Sequence, residues 1–135
     1  PAEVKPWTVA ALGCREGHQI VTVRFVDETE GGELNQRYRQ RTGPTNVLSF
    51  AYDPPPGTDA VLFGDIAVCT PVVVREAREQ GKTQQAHCAH LVVHATLHLL
   101  GYDHHSEGDA NRMESEEVAI LSRLGFDDPY RPVAP

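Results

Sequence analysis

The chain reads as an α+β fold, a small mixed β-sheet packed with several helices, and three observations predict it. Runs rich in branched and aromatic residues at 19–26, 46–52 and 62–69 crowd the first half. Helical patterns with capping signals take over from Pro71 onward. One of these, from about 84 to 100, contains neither glycine nor proline and is apolar enough to be a buried central helix. Strands first and helices later is the order of an α+β protein.

In chain order, a helix is expected near 3–12, followed by a strand at 19–26 (QIVTVRFV), where apolar and polar residues alternate. Asp27 suits an N-cap, and a helix near 32–41 carries ELNQRYRQR. The strands NVLSFAY and LFGDIAVC flank DPPPG at 53–57, whose prolines enforce an extended connection. Pro71 fits the first turn of a helix that Gly81 stops. Thr83 caps the long helix, whose core residues are expected to be Leu91, Val92, Ala95, Leu99 and Leu100. A last helix at 107–123 has Met113, Val118, Ile120, Leu121 and Leu124 near its apolar side and Glu116 and Glu117 on its solvated face.

At 135 residues, with 40% hydrophobic and 23% charged, the composition is globular and fits a single domain spanning 1–135. No apolar run approaches the roughly 20 residues that span a bilayer, and the N-terminus lacks a signal pattern. A soluble, cytoplasmic protein without membrane contact is expected. Cys14, Cys69 and Cys88 lack CxxC spacing and read as reduced thiols, neither a disulfide framework nor a cysteine metal site.

The chemistry concentrates in HATLHLLGYDH. His94 and His98 share a helix face, ~6 Å apart along the axis at ~1.5 Å per residue. Gly101 can end the helix in the left-handed conformation and return His104 to the same point. Three imidazoles leave a fourth, water-filled position on a tetrahedral metal, the pattern of a catalytic rather than a structural zinc site. Zinc is the expected ion, with nickel or another divalent metal compatible with imidazole. His18, His87 and His90 read as ordinary polar residues, Cys88 lies well round the helix from His94, and His105 is the alternative third ligand.

HATLHLLGYDH, with ELNQRYRQRTGPTNVLSFAY, FGDIAVCT and MESEEVAILSRLGF, resembles the YbeY family of metal-dependent endoribonucleases, called rRNA maturation factors. The likeness runs through nearly the whole chain in four ordered blocks. It implies a zinc-binding, single-strand-specific endoribonuclease that matures ribosomal RNA 3′ ends, notably in the small subunit, and serves ribosome quality control. Expected partners are single-stranded RNA, ribosomal RNA and the ribosome or its proteins, and not DNA. The family's metal ligands fall on His94, His98 and His104, and its functional arginine falls on Arg39. A guanidinium grips phosphate oxygens in a bidentate fork and stays charged. The chain departs from the family pattern at Arg41 and Thr42, where a Lys-Asp pair is usual, at Ala95, where glycine is usual, and in a shorter N-terminal region.

The implied mechanism is a metal-activated water attacking a phosphodiester while Arg39 balances the developing charge. The general base stays open. Asp103 reads better as orienting a histidine or capping the loop, and Asp65 and Ser49 are ambiguous. A metzincin-like metallopeptidase shares the histidine skeleton but needs a glutamate where this chain has Ala95. A non-catalytic, ribosome-associated RNA-binding factor with a structural metal is the third reading, and a closed fourth coordination position would favour it. A net charge of −7 opposes polyanion binding, so local clusters must compensate. Arg37, Arg39 and Arg41, and Arg75, Arg78 and Lys82, are the candidates; Glu107, Asp109, Glu114, Glu116 and Glu117 concentrate acid elsewhere.

Overall fold

A computed structural model describes residues 4–13, 17–53, 56–57, 59–102 and 106–130. Its elements are α1 (Val4–Leu12), β1 (His18–Val26), α2 (Glu28–Arg39), β2 (Val47–Tyr52), β3 (Ala60–Cys69), α3 (Thr70–Gln80), α4 (Gln84–Leu99) and α5 (Glu107–Arg123). The strands form a mixed sheet in the order β1-β3-β2. β2 and β3 are antiparallel, as a short connection allows, and β1 runs parallel to β3. The architecture is the expected α+β.

Two elements start at least two residues from where they are expected. α2 begins at Glu28 rather than near 32, because Asp27 caps it through a 2.8 Å bond from Glu30 N to Asp27 Oδ1. Gly31 and Gly32 obscure that start in the sequence, since glycine is a poor helix former. The structure explains Gly31: a Cβ there would stand 3.2 Å from Cys69 Sγ, so the missing side chain lets α2 close onto β3. β3 begins at Ala60, two residues earlier than the 62 expected.

The sheet has two covered faces. Val21, Val23, Val47, Ile66 and Val68 join the main core with α1, α4 and α5. Val26, Leu48, Ala67 and Cys69 form a smaller core with Leu34 of α2 and Val72 of α3. α4 lies at the centre, touching α1, α3, α5, β2 and β3. Leu91, Val92, Ala95 and Leu99 are buried as expected, and Leu100 is half-buried against the same core.

The end of α4 is a Schellman motif. Gly101 takes φ 101°, its N–H donates to His98 O at 3.0 Å, and Tyr102 N–H donates to Leu97 O at 3.1 Å. The chain therefore turns back sharply over the last helical turn.

Candidate active site

His94 and His98 stand one turn apart on α4, their rings nearly parallel (6°) with centroids 6.5 Å apart. Each ring is fixed from behind. His94 Nδ1 lies 2.7 Å from Glu117 Oε1, and His98 Nδ1 lies 3.1 Å from the Tyr102 carbonyl oxygen that the Schellman turn delivers. An ionised carboxylate and a carbonyl only accept, so both Nδ1 atoms carry a proton, and whenever the rings are neutral their lone pairs sit on Nε2. Imidazoles oriented this way are what a metal requires of its ligands. The residues present fit such an ion.

Glu117 corrects the sequence reading. It is fully buried between α5 and α4 instead of solvated. Besides His94 it accepts from Tyr130 Oη at 2.6 Å and meets His90 Nε2 at 3.2 Å. Burial alone would raise its pKa, but the hydrogen bonds from His90, His94 and Tyr130 and the charge on His94 outweigh that and hold it down at about 2. Burial and the same carboxylate push the Tyr130 phenol well above its ordinary value. The signal was present in the spacing: Glu117 lies four residues after Met113 and three and four before Ile120 and Leu121, all buried on one helix face. His90 is likewise more than an ordinary polar residue, since it belongs to this network.

A cleft of about 260 Å³ opens beside these rings, lined by Arg39, Asn46, Ser49, His94, His98 and Tyr130 among others. Arg39 is the last residue of α2, and Gln40 after it adopts the left-handed conformation (φ 56°). Asn35 Nδ2 donates to Gly43 O at 2.7 Å, pinning the following loop so that Arg39 and Asn46 share the cleft. Asn46 Nδ2 donates in turn to Glu76 Oε1 at 3.0 Å, and the buried His87 meets the same oxygen at 2.9 Å. His87, read from the sequence as an ordinary polar residue, is buried and takes a structural role.

Other sequence candidates separate from the cleft. Asp65 lies on the opposite face of the sheet, in a second cavity of about 350 Å³ with Arg24, Arg37 and Tyr38. Arg37 and Arg39 therefore do not form one positive face; two residues apart on a helix, they line different cavities. Cys88 is half-buried against the main core, where burial pushes its thiol pKa up. Among the described residues no group of three or more histidines, cysteines or carboxylates could hold a metal. Asp103, His104 and His105 lie outside the described residues, as does Cys14.

Comparison with known proteins agrees with the block pattern of the sequence. The family model described as "Endoribonuclease YbeY" matches residues 6–125. A relative named Endoribonuclease YbeY from Methylococcus capsulatus is 51% identical over 134 residues, covering 99% of this chain and 88% of its own. One of the same name from Coxiella burnetii is 48% identical over 132 residues, covering 96% and 87%. The solution structure of TM1509 from Thermotoga maritima superposes with a TM-score of 0.59 at 28% identity, covering 96% of this chain and 90% of that one. By the match to its model and by these relatives, the chain belongs to the YbeY endoribonuclease family.

Proposed function

We propose that this chain is a metal-dependent endoribonuclease that hydrolyses single-stranded RNA at the α4 cleft and acts on ribosomal RNA 3′ ends, notably of the small subunit, and in ribosome quality control. One observation carries the reading. The cleft lined by two rear-anchored imidazoles is also lined by Arg39. Phosphodiester hydrolysis needs these two capacities together, a site for an activating cation and a fixed positive charge for phosphate oxygens.

His94, His98 and, by the resemblance, His104 would hold the ion, with zinc the expected metal and nickel or another divalent metal compatible. When bound, the metal supplies Lewis acidity and an activated water. The remaining work falls to the protein. Arg39 binds two phosphate oxygens and balances the charge that grows on them. Glu117 and the Tyr102 carbonyl keep both imidazoles in one tautomer. Asn46 and Ser49 line the cleft with uncharged polar groups that can hydrogen-bond a ribose or phosphate. The peptidase reading lacks its general base, because the residue after His94 is the buried Ala95.

Ribosomal RNA as substrate, the ribosome as partner and the cytoplasm as location are what the family resemblance implies; among the described residues no helix is long and apolar enough to cross a membrane. The test is cleavage of an end-labelled single-stranded RNA by zinc-loaded protein beside His98→Ala purified identically. Cleavage lost in the variant is the expected result. Equal cleavage by both would refute the histidine-held centre, and none by either would favour a binding factor.

A further inference from the structure

Past α5 the chain is pinned repeatedly before it reaches the cleft. Gly125 turns it (φ 91°), Phe126 N–H donates to Leu121 O at 2.8 Å, and the Phe126 ring meets Trp7 edge to face at 6.0 Å. Lys82 Nζ donates to Pro129 O at 2.8 Å, and Tyr130 N–H to Asp128 Oδ1 at 2.8 Å. Tyr130 then lies across the cleft wall, its hydroxyl bound to Glu117 Oε2 at 2.6 Å and its ring edge-on to His90 with centroids 5.3 Å apart.

Both ends of this side chain are therefore fixed, the backbone by the pinned segment and the hydroxyl by the carboxylate. As a residue Tyr130 is nevertheless 46% exposed, whereas Trp7, an aromatic used for packing, is 6% exposed. A rigidly held ring on so exposed a residue, in the cleft that Arg39 also lines, can serve as a preformed stacking platform. In single-stranded RNA every phosphate has a base beside it, and an unpaired base can be splayed onto an aromatic ring, which a base locked in a duplex cannot.

We propose that Tyr130 is a substrate-binding residue whose ring stacks a base of the single-stranded RNA next to the phosphate held by Arg39. The inference rests on the endoribonuclease reading of the cleft. It gives that reading a physical source of strand selectivity without sequence selectivity, because every base has a π face.

The test uses the zinc-loaded full chain and short end-labelled RNAs carrying one abasic site at each position in turn. In the wild type, one abasic position beside the cleaved bond should raise KM roughly 5- to 150-fold, the worth of one base-aromatic stack. Tyr130→Ala should raise KM on intact RNA by a similar factor and erase the penalty at that position alone, the coupling expected of groups in contact. Tyr130→Phe keeps the ring and should bind RNA nearly as the wild type does. Tyr130→Ala matching wild type on intact RNA would overturn the proposal and leave the endoribonuclease reading standing. Tyr130→Phe as impaired as Tyr130→Ala would make the tyrosine only a prop for Glu117 and overturn it equally. No cleavage by the wild type would overturn both.

Discussion

Glu117→Gln keeps the shape of the buried side chain and removes its charge, which separates two effects the fold combines. The carboxylate receives Tyr130 Oη at 2.6 Å and His94 Nδ1 at 2.7 Å and meets His90 Nε2 at 3.2 Å. An amide has one acceptor oxygen, so its NH₂ must face at least one of these donors. Hydrogen bonds to a charged group contribute about 1.5–3 kcal/mol each against about 1 for neutral ones. Against that loss, relieving the desolvation of a buried carboxylate returns several kcal/mol. The two oppose each other, and the metal-free fold should change by less than about 2 kcal/mol. Zinc affinity has no such offset. Where the NH₂ faces His94, the imidazole shifts its proton to Nε2 and withdraws the lone pair the ion needs. Loss of an orienting partner of this kind costs about 10- to 100-fold in metal affinity, or about 1.4–2.7 kcal/mol. Competition with a chromophoric chelator measures the affinity, and a denaturant melt of the metal-free chain checks the fold. An unchanged zinc affinity in a folded variant would refute the reasoning.

Three further outcomes are expected. Arg39→Ala should lower kcat/KM by about 10²- to 10³-fold, with Arg39→Lys recovering only part of it because an ammonium lacks the bidentate fork; Arg39 is exposed, so the melt should not move, and unchanged turnover would remove it from the site. Gly64→Ala should destabilise the fold by about 1–3 kcal/mol through overpacking, since its Cβ would lie 3.0 Å from both Phe50 O and Leu99 Cδ2; calorimetry that finds no drop in Tm would contradict this. Burial pushes the Cys69 and Cys88 thiols up, so the folded state keeps these protons to higher pH than the unfolded chain does. Their contribution to stability is complete below the unfolded thiol value of about 8.5 and is lost as pH rises through the folded values. Alkylation followed by mass spectrometry at mildly alkaline pH should accordingly be slow in the native chain and fast in denaturant, and equal rates would contradict the burial.

The long helix was legible because its evidence is local: Thr83 and Gly101 mark its ends, and the interval between His94 and His98 is one helical turn. The three strands were legible from composition and the mixed sheet from element order. Glu117 was missed because it sits in an acidic run with Glu114 and Glu116, and charge argued for solvent more loudly than its spacing from Met113 and Leu121 argued for burial. Nothing local marks Tyr130, whose place depends on the turn at Gly125 and on Lys82 in a distant connection. Likewise the divergence of Arg37 from Arg39 is settled only by which face of the sheet α2 covers.

Because His94 and His98 ride on α4, which touches five other elements, they belong to the part of the molecule that opens only when everything opens. Arg39 approaches from a helix end, exposed at the last residue of α2, which sits at the other extreme of that scale. In hydrogen exchange, amides around the imidazoles should report the global unfolding free energy, while that of residue 40 exchanges through small local openings. The cleft is then an anvil with one adjustable jaw: substrate can be gripped and released at the guanidinium at no cost to the geometry of the histidines.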